Sequence, residues 1–122
     1  MQSTTIKRAV AQDADRLTSL IQNSGAYRGP YASIISGYRV TPDYIARHRV
    51  FMAVDTAERL QGFYALLEQP PELELAFVAD DVQGRGVRRL LIEHMIRKAR
   101  AAGLTEVRVV PWERPELRFT TA

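Results

Sequence analysis

The stretch that decides the fold is ELELAFVADDVQGRGVRRLLIEHMIRKARAAGLTEVRVV, residues 72–110. It opens on an alternating run, Glu72 to Val78, which predicts a strand. A helix follows, because apolar residues recur there at helical spacing and should pack on a sheet: Val87, Leu91, Met95, Ala99 and Ala102. Gly103 is predicted to end this helix, and Glu106 to Val110 forms the next strand. A strand, a helix and a strand in this order predict two parallel neighbours joined by a crossover.

The rest of the chain adds a first strand, two helical regions and two strands that form a hairpin. They are the strand Thr4–Val10, a helix with Ala14, Leu17, Leu20 and Ile21 on one side, one or two short helices within Tyr31–His48, and the strands Val50–Val54 and Leu60–Glu68. Thr41 is expected to cap a helix that begins near Pro42. The order predicts an α/β (α+β) fold, a mixed and mostly antiparallel sheet flanked by helices, in a single domain of residues 1–122.

Alternation along the strand Glu72–Val78 predicts which side chains share a face. Two carboxylates, Glu72 and Glu74, fall on one face of the strand. The apolar residues Leu73, Leu75 and Phe77 fall on the other face and are expected in the core.

Composition restricts the classes of partner. The chain is 46% hydrophobic and 25% charged, as in globular proteins. No run approaches the roughly 20 apolar residues that span a membrane, and the N-terminus lacks the apolar core of a secretory signal. We therefore expect a cytoplasmic protein with no membrane partner. The formal net charge of +3 is spread along the chain without a dense cluster, so no nucleic-acid partner is expected.

The sequence offers few residues for metal binding and none for thiol chemistry. The chain has no cysteine, which excludes disulfides, thiolate metal sites and a cysteine nucleophile. Its two histidines, His48 and His94, do not form a metal-ligand pair by spacing. No metal site is predicted.

The segment Gln83–Gly86, QGRG, lies at the predicted junction between a strand and a helix. The N-terminus of a helix presents backbone N–H groups and a partial positive charge, which attract an anion. Glycines at such a turn let several N–H groups converge without side chains between them. Arg85, Arg88 and Arg89 can add charge-assisted contacts. The residues alone leave two interpretations open, an anion cradle or only a turn.

The whole succession of elements resembles the acetyl-CoA-binding core of the GNAT (GCN5-related) N-acetyltransferases. The glycine motif of that family is Gln or Arg, two residues of any type, Gly, any residue, then Gly or Ala. Gln83 and Gly86 match it, whereas Arg88 departs from it. The resemblance extends over residues Thr4 to Val110 and implies the family's fold, with the last strands of the sheet missing.

The resemblance also implies which residues hold acetyl-CoA, the expected acyl donor. The backbones of Phe77 and Val78 would bind the pantetheine arm. The pyrophosphate would be wrapped by the six residues Gln83, Gly84, Arg85, Gly86, Val87 and Arg88. Because only the backbone need face the ligand, we expect the Arg88 side chain to point outward and to pair with a phosphate of CoA.

The activity that the resemblance implies is transfer of an acetyl group from acetyl-CoA to a primary amine of a small molecule or a protein. Glu72 aligns with the acidic position at the start of this strand in relatives and is expected to act as the base; Glu74 is the alternative. The usual tyrosine acid after the last matched strand is missing. Four tyrosines in the helical region are candidates to replace it: Tyr27, Tyr31, Tyr38 and Tyr44. The alternative function is a shortened, catalytically weak or inactive module that binds CoA or a protein partner.

The end of the predicted sheet suggests an oligomer. A sheet that ends at Glu106–Val110 exposes an edge, and exposed edges pair with other chains. We therefore predict a homodimer or a swapped C-terminal segment, in which Trp112, Leu117 and Phe119 pack on the partner or cover the open face.

Overall fold

The order of helices and strands agrees with the order predicted from the sequence. A computed structural model describes residues 3–23, 39–109 and 118–120. The elements are β1 Thr5–Arg8, a 3-10 turn Ala11–Asp13, α1 Ala14–Gln22, α2 Pro42–Arg47, β2 Arg49–Val54, β3 Leu60–Glu68, β4 Pro71–Val78, a 3-10 turn Asp80–Val82, α3 Val87–Ala101, β5 Glu106–Val109 and β6 Arg118–Thr120. Each predicted strand and helix within these ranges is present, and β6 is an addition.

One sheet joins the strands in the order β1-β2-β3-β4-β5-β6. Neighbours pair antiparallel except β4 and β5, which are parallel. The predicted mixed, mostly antiparallel sheet is therefore confirmed. The parallel pair is the one connected through α3, as the order of strand, helix and strand requires.

Helices cover both faces of the sheet. On the α1/α2 face, the buried residues include Leu17, Ile21, Ile45, Val50, Met52, Phe63, Leu75 and Phe77. On the α3 face, they include Tyr64, Leu66, Leu73, Val78, Val87, Leu91, Met95, Ala99 and Val107. The stripe of α3 read from the sequence is thus the side of the helix that packs on the sheet.

The ends of two helices follow the predicted local chemistry. The Thr41 hydroxyl accepts the Tyr44 N–H at 3.1 Å, which caps α2 at Pro42. Gly103 adopts φ 81° after the last turn of α3. The Leu104 N–H then donates to the Ala99 carbonyl at 2.9 Å, which completes the hydrogen-bonded helix end.

A bulge in β4 changes the predicted faces of that strand. Ala65 of β3 pairs with Leu75, but the next residue, Leu66, pairs with Leu73, so β4 contains one more residue, Glu74, at this point. Leu73 is consequently buried on the α3 face, whereas Leu75 is buried on the α1/α2 face together with Phe77. The prediction that these three residues share one face is wrong, because an extra residue reverses the alternation.

The strand β6 corrects the expectation about the end of the sheet. Glu106, Val107 and Arg108 of β5 pair with Thr120, Phe119 and Arg118 of β6, respectively. The predicted open edge at β5 is therefore wrong, since the same chain occupies it. Trp112 and Leu117 lie outside the described residues. The homodimer stays a prediction that this edge no longer supports.

Gly62 lets β3 approach the end of β4 closely. A Cβ atom at this position would lie 2.7 Å from the Phe77 carbonyl oxygen and 3.0 Å from the Leu91 Cδ1. We expect Gly62→Ala to lower the free energy of unfolding by about 1–3 kcal/mol, because backbone and core must shift. Urea denaturation measures this change. At positions where the fold tolerates a methyl group, replacing glycine by alanine raises the free energy of unfolding by about 0.4–1 kcal/mol. An unchanged or higher free energy of unfolding for Gly62→Ala would therefore contradict the close approach.

Candidate active site

Two positions of β4 pair with β5 among the described residues. The parallel register joins Glu72 to Arg108 and Leu73 to Val109, and Val109 is the last described residue of β5. The rest of β4, up to Val78, pairs with β3 on one side. Its other side, from Glu74 to Val78, pairs with no described strand residue and is called the gap.

The direction of the backbone along this edge follows from its hydrogen bonds. The Ala79 N–H donates to the Gln61 carbonyl of β3 at 2.8 Å. Successive residues of a strand direct their N–H and C=O groups to opposite sides, so Val78 and Ala76 face the gap and Phe77 faces β3. The Phe77 carbonyl, directed at Gly62, agrees with this assignment. Of the two residues predicted to bind the pantetheine arm through their backbones, Val78 faces the gap and Phe77 faces β3, and their role stays a prediction. Ala76, which the sequence analysis did not name, also faces the gap.

The glycine turn lies at the end of the same strand. Gly84 and Gly86 have φ angles of 81° and 83°, which other residues rarely adopt. Gly86 is the N-cap of α3, and the Leu90 N–H donates to its carbonyl at 3.1 Å. A Cβ atom added at either glycine would meet no atom within 4 Å. The turn is thus open to solvent in front of the positive end of a helix.

Gln83 connects the turn to β4. Its Nε2 donates to the Val78 carbonyl at 3.0 Å, across five residues of chain. This bond holds the turn against the end of the strand that borders the gap. The family motif identified Gln83, but only the structure gives its contact.

The other residues predicted in the turn differ in exposure. Arg85 and Arg88 are exposed, and Val87 is buried among the α3-face residues. Val87 can therefore offer a ligand only its backbone. The two arginines lie on the solvent side, and their contact with a phosphate stays a prediction.

The two candidate bases have different surroundings. The Glu72 Oε1 lies 3.4 Å from an Arg108 guanidinium nitrogen, in an ion pair between the parallel strands. The Glu74 Oε1 accepts the Tyr44 hydroxyl at 2.5 Å, and Glu74 is the extra residue of the bulge. Of the four candidate tyrosines, Tyr44 is thus beside a carboxylate, while Tyr27, Tyr31 and Tyr38 lie outside the described residues.

A second polar pair lies on the opposite face. The Tyr64 hydroxyl and the His94 Nδ1 are 2.8 Å apart. Burial raises the pKa of Tyr64 above its ordinary range. Burial also lowers the pKa of His94, and the Arg97 and Lys98 charges add to this effect. Both groups are therefore neutral at pH 7 and form a polar contact within the α3-face core.

The described residues contain neither a candidate metal site nor a helix that could span a membrane. Residues 3–23 and 39–109 hold no group of three His, Asp or Glu side chains placed for a metal ion. In the same part of the chain, no helix has the length and apolar character to cross a membrane.

A comparison with protein families decides the classification. The sequence model of the Acetyltransferase (GNAT) family matches residues 15–120. The chain belongs to the GNAT family. The fold expected from the resemblance is thus confirmed, and the gap and the glycine turn lie within the matched region of this GNAT protein. No curated protein matches it in sequence.

Solved structures share the GNAT fold at low identity. The PaiA N-acetyltransferase from Thermoplasma acidophilum, in complex with coenzyme A, has a TM-score of 0.75 and 17% identity over 88% of this chain and 78% of its own. The IAA acetyltransferase from Bacillus cereus has a TM-score of 0.62 and 24% identity over 88% of this chain and 65% of its own. A GNAT acetyltransferase from Elizabethkingia anophelis, with acetyl-CoA bound, has a TM-score of 0.63 and 18% identity over 87% of this chain and 63% of its own. This chain thus spans less than two thirds of the last two proteins.

Proposed function

We propose that this GNAT protein transfers the acetyl group of acetyl-CoA to a primary amine of a small molecule or a protein. One observation carries the proposal: the glycine turn that begins α3 is bonded through Gln83 to the end of β4, the strand that also carries Glu74. We expect the turn to bind the phosphates of the donor and Glu74 to accept the proton of the amine. Solved GNAT structures with bound coenzyme A or acetyl-CoA support the choice of donor.

The described residues of β4 and of the glycine turn fit such a donor. The open space at Gly84 and Gly86 leaves the backbone of the turn accessible to a pyrophosphate. The backbone of Ala76 and the N–H of Val78 face away from β3, where they can bind the amides of a pantetheine arm, while the Val78 carbonyl accepts from Gln83. Arg85 and Arg88 are exposed, and we expect their guanidinium groups to pair with the phosphates of CoA.

The chemistry that the chain itself contributes is removal of a proton. Acetyl-CoA, when bound, supplies a thioester carbonyl that an amine can attack. An amine is protonated at neutral pH, so a carboxylate must first take its proton, directly or through water. We assign this task to Glu74, whose carboxylate accepts the Tyr44 hydroxyl, and keep Glu72, which pairs with Arg108, as the alternative. Alignment of the two reactants along the gap contributes the rest of the acceleration.

Calorimetry with acetyl-CoA, followed by a thiol-release assay, tests the proposed function. The amine panel contains glucosamine, glutamate, a polyamine, an aromatic ethylamine and a peptide with a free N-terminus. We expect binding at one site per chain and thiol release that depends on one class of amine. Binding without release with any amine would favour the predicted inactive module instead. Absence of binding would overturn both readings.

A further inference from the structure

Tyr44 and Glu74 come together from distant parts of the chain. They are 30 residues apart in sequence, and the Tyr44 hydroxyl donates to the Glu74 Oε1 at 2.5 Å. Both side chains are half-buried. The contact joins α2 to the bulge of β4, one residue after the last described position at which β4 pairs with β5.

From this contact we infer that Tyr44 is a positioning residue for Glu74. The inference rests on the proposed function, in which Glu74 takes the proton of the amine. The hydroxyl bond engages one carboxylate oxygen and so restricts the rotation of the Glu74 side chain. The carboxylate is thereby held where the gap begins.

The ring of Tyr44 is itself held in place by its helix. Ile45, the next residue, is buried at 2% exposure and fixes α2 on the sheet. The Thr41 cap bonds the Tyr44 N–H, and the Tyr44 carbonyl accepts the His48 N–H at 3.1 Å. The His48 ring packs edge-on against the Tyr44 ring, with centroids 4.8 Å apart. A hydroxyl on such a ring has a defined position before any substrate binds.

The proton balance of the step assigns each group one task. An N–H bond of the ammonium breaks and an O–H bond forms on the Glu74 carboxylate, while the electron pair stays on nitrogen. That nitrogen bonds to the thioester carbon, and the carbon–sulfur bond breaks with its electron pair on sulfur. The departing thiolate takes the second proton of the ammonium group, so the products are the amide, the CoA thiol and protonated Glu74. Tyr44 keeps its own proton and acts only through the hydrogen bond to Glu74. Its removal should therefore affect turnover and leave the binding of acetyl-CoA unchanged.

Three variants and one control test this role: Tyr44→Phe, Glu74→Gln, the double variant and Tyr64→Phe. Tyr64 is the matched control, because its hydroxyl also bonds a side chain, His94, but on the α3 face. Kinetics use the panel amine that gives the fastest thiol release, with acetyl-CoA varied. Thermal unfolding of each variant accompanies the kinetics.

We expect Tyr44→Phe to lower kcat about tenfold with an unchanged KM for acetyl-CoA. Tyr64→Phe should retain the wild-type kcat. In the Glu74→Gln background, Tyr44→Phe should cause no further loss, since residues that act as one unit are not additive. A wild-type kcat for Tyr44→Phe, or a full additional tenfold loss in the double variant, would overturn the inference alone. Absence of turnover by the wild-type protein with every amine would overturn the proposed function, and the inference with it.

Discussion

Gly86→Trp is expected to weaken the binding of acetyl-CoA by at least about 100-fold, which corresponds to roughly 2.7 kcal/mol. Gly86 is the N-cap of α3, and the space in front of its Cα holds no atom within 4 Å of an added Cβ. An indole ring at this position fills the region that the pyrophosphate must enter. Calorimetric titration of the folded variant with acetyl-CoA measures the loss.

Gly103→Trp is the matched control for this experiment. Gly103 has φ 81° against 83° for Gly86, and an added Cβ there also meets nothing within 4 Å. The backbone strain of the two variants is therefore similar, but Gly103 lies at the opposite end of α3. We expect Gly103→Trp to bind acetyl-CoA as the wild type does. Equal affinities of the two variants would show that the turn is not the phosphate site.

The glycine turn was predictable because its determinants are local. A strand, two glycines at a short spacing and an amphipathic helix follow each other within one stretch of chain, and each signal concerns neighbouring residues. The same holds for the Thr41 cap and for the end of α3 at Gly103, where one residue type satisfies one backbone conformation. These elements could be predicted without knowing which residues they pack against.

The bulge at Glu74 was not predictable in the same way. A regular alternation of polar and apolar residues from Glu72 to Val78 contains no sign of an extra residue. The register is decided instead by β3, where Ala65 and Leu66 pair with Leu75 and Leu73. The contact of Tyr44 with Glu74 also depends on how α2 packs on the sheet, and sequence spacing gives no information on that packing.

The prediction for the end of the sheet was wrong for a related reason. Arg118–Thr120 has only three residues and no hydrophobic period of its own. It becomes a strand because β5 offers unpaired backbone groups, with Phe119 opposite Val107. Such pairing depends on the folded sheet, so the sequence of so short a segment does not predict it.

The bulge has a consequence for the site as well as for the core. The residue that it adds to the strand, Glu74, directly follows the last described position at which β4 pairs with β5. Glu72, two positions earlier, still lies within the paired region and contacts Arg108. We therefore expect the two carboxylates to differ in function, with Glu74 as the base, although the sequence favours Glu72.

Glu74→Gln is expected to lower kcat about 100-fold or more, with little change in the KM for acetyl-CoA. The amide has nearly the same shape as the carboxylate and can still accept the Tyr44 hydroxyl, but it cannot take a proton from the ammonium group. Loss of a positioned base costs about 100-fold to 10,000-fold. Thiol release at saturating acetyl-CoA, with the panel amine varied, measures the effect.

Glu72→Gln also replaces a carboxylate by an amide, two residues away, and is the control for Glu74→Gln. The Arg108 partner of Glu72 is 72% exposed, and an ion pair with one exposed member contributes about 0–1 kcal/mol. We expect kcat of Glu72→Gln to stay within about threefold of the wild type, since the charge that it removes already belongs to that pair. The opposite pattern, a large loss for Glu72→Gln and a small one for Glu74→Gln, would assign the base to Glu72. In that case proton transfer would occur within the paired part of β4, and the bulge would have no role in the chemistry.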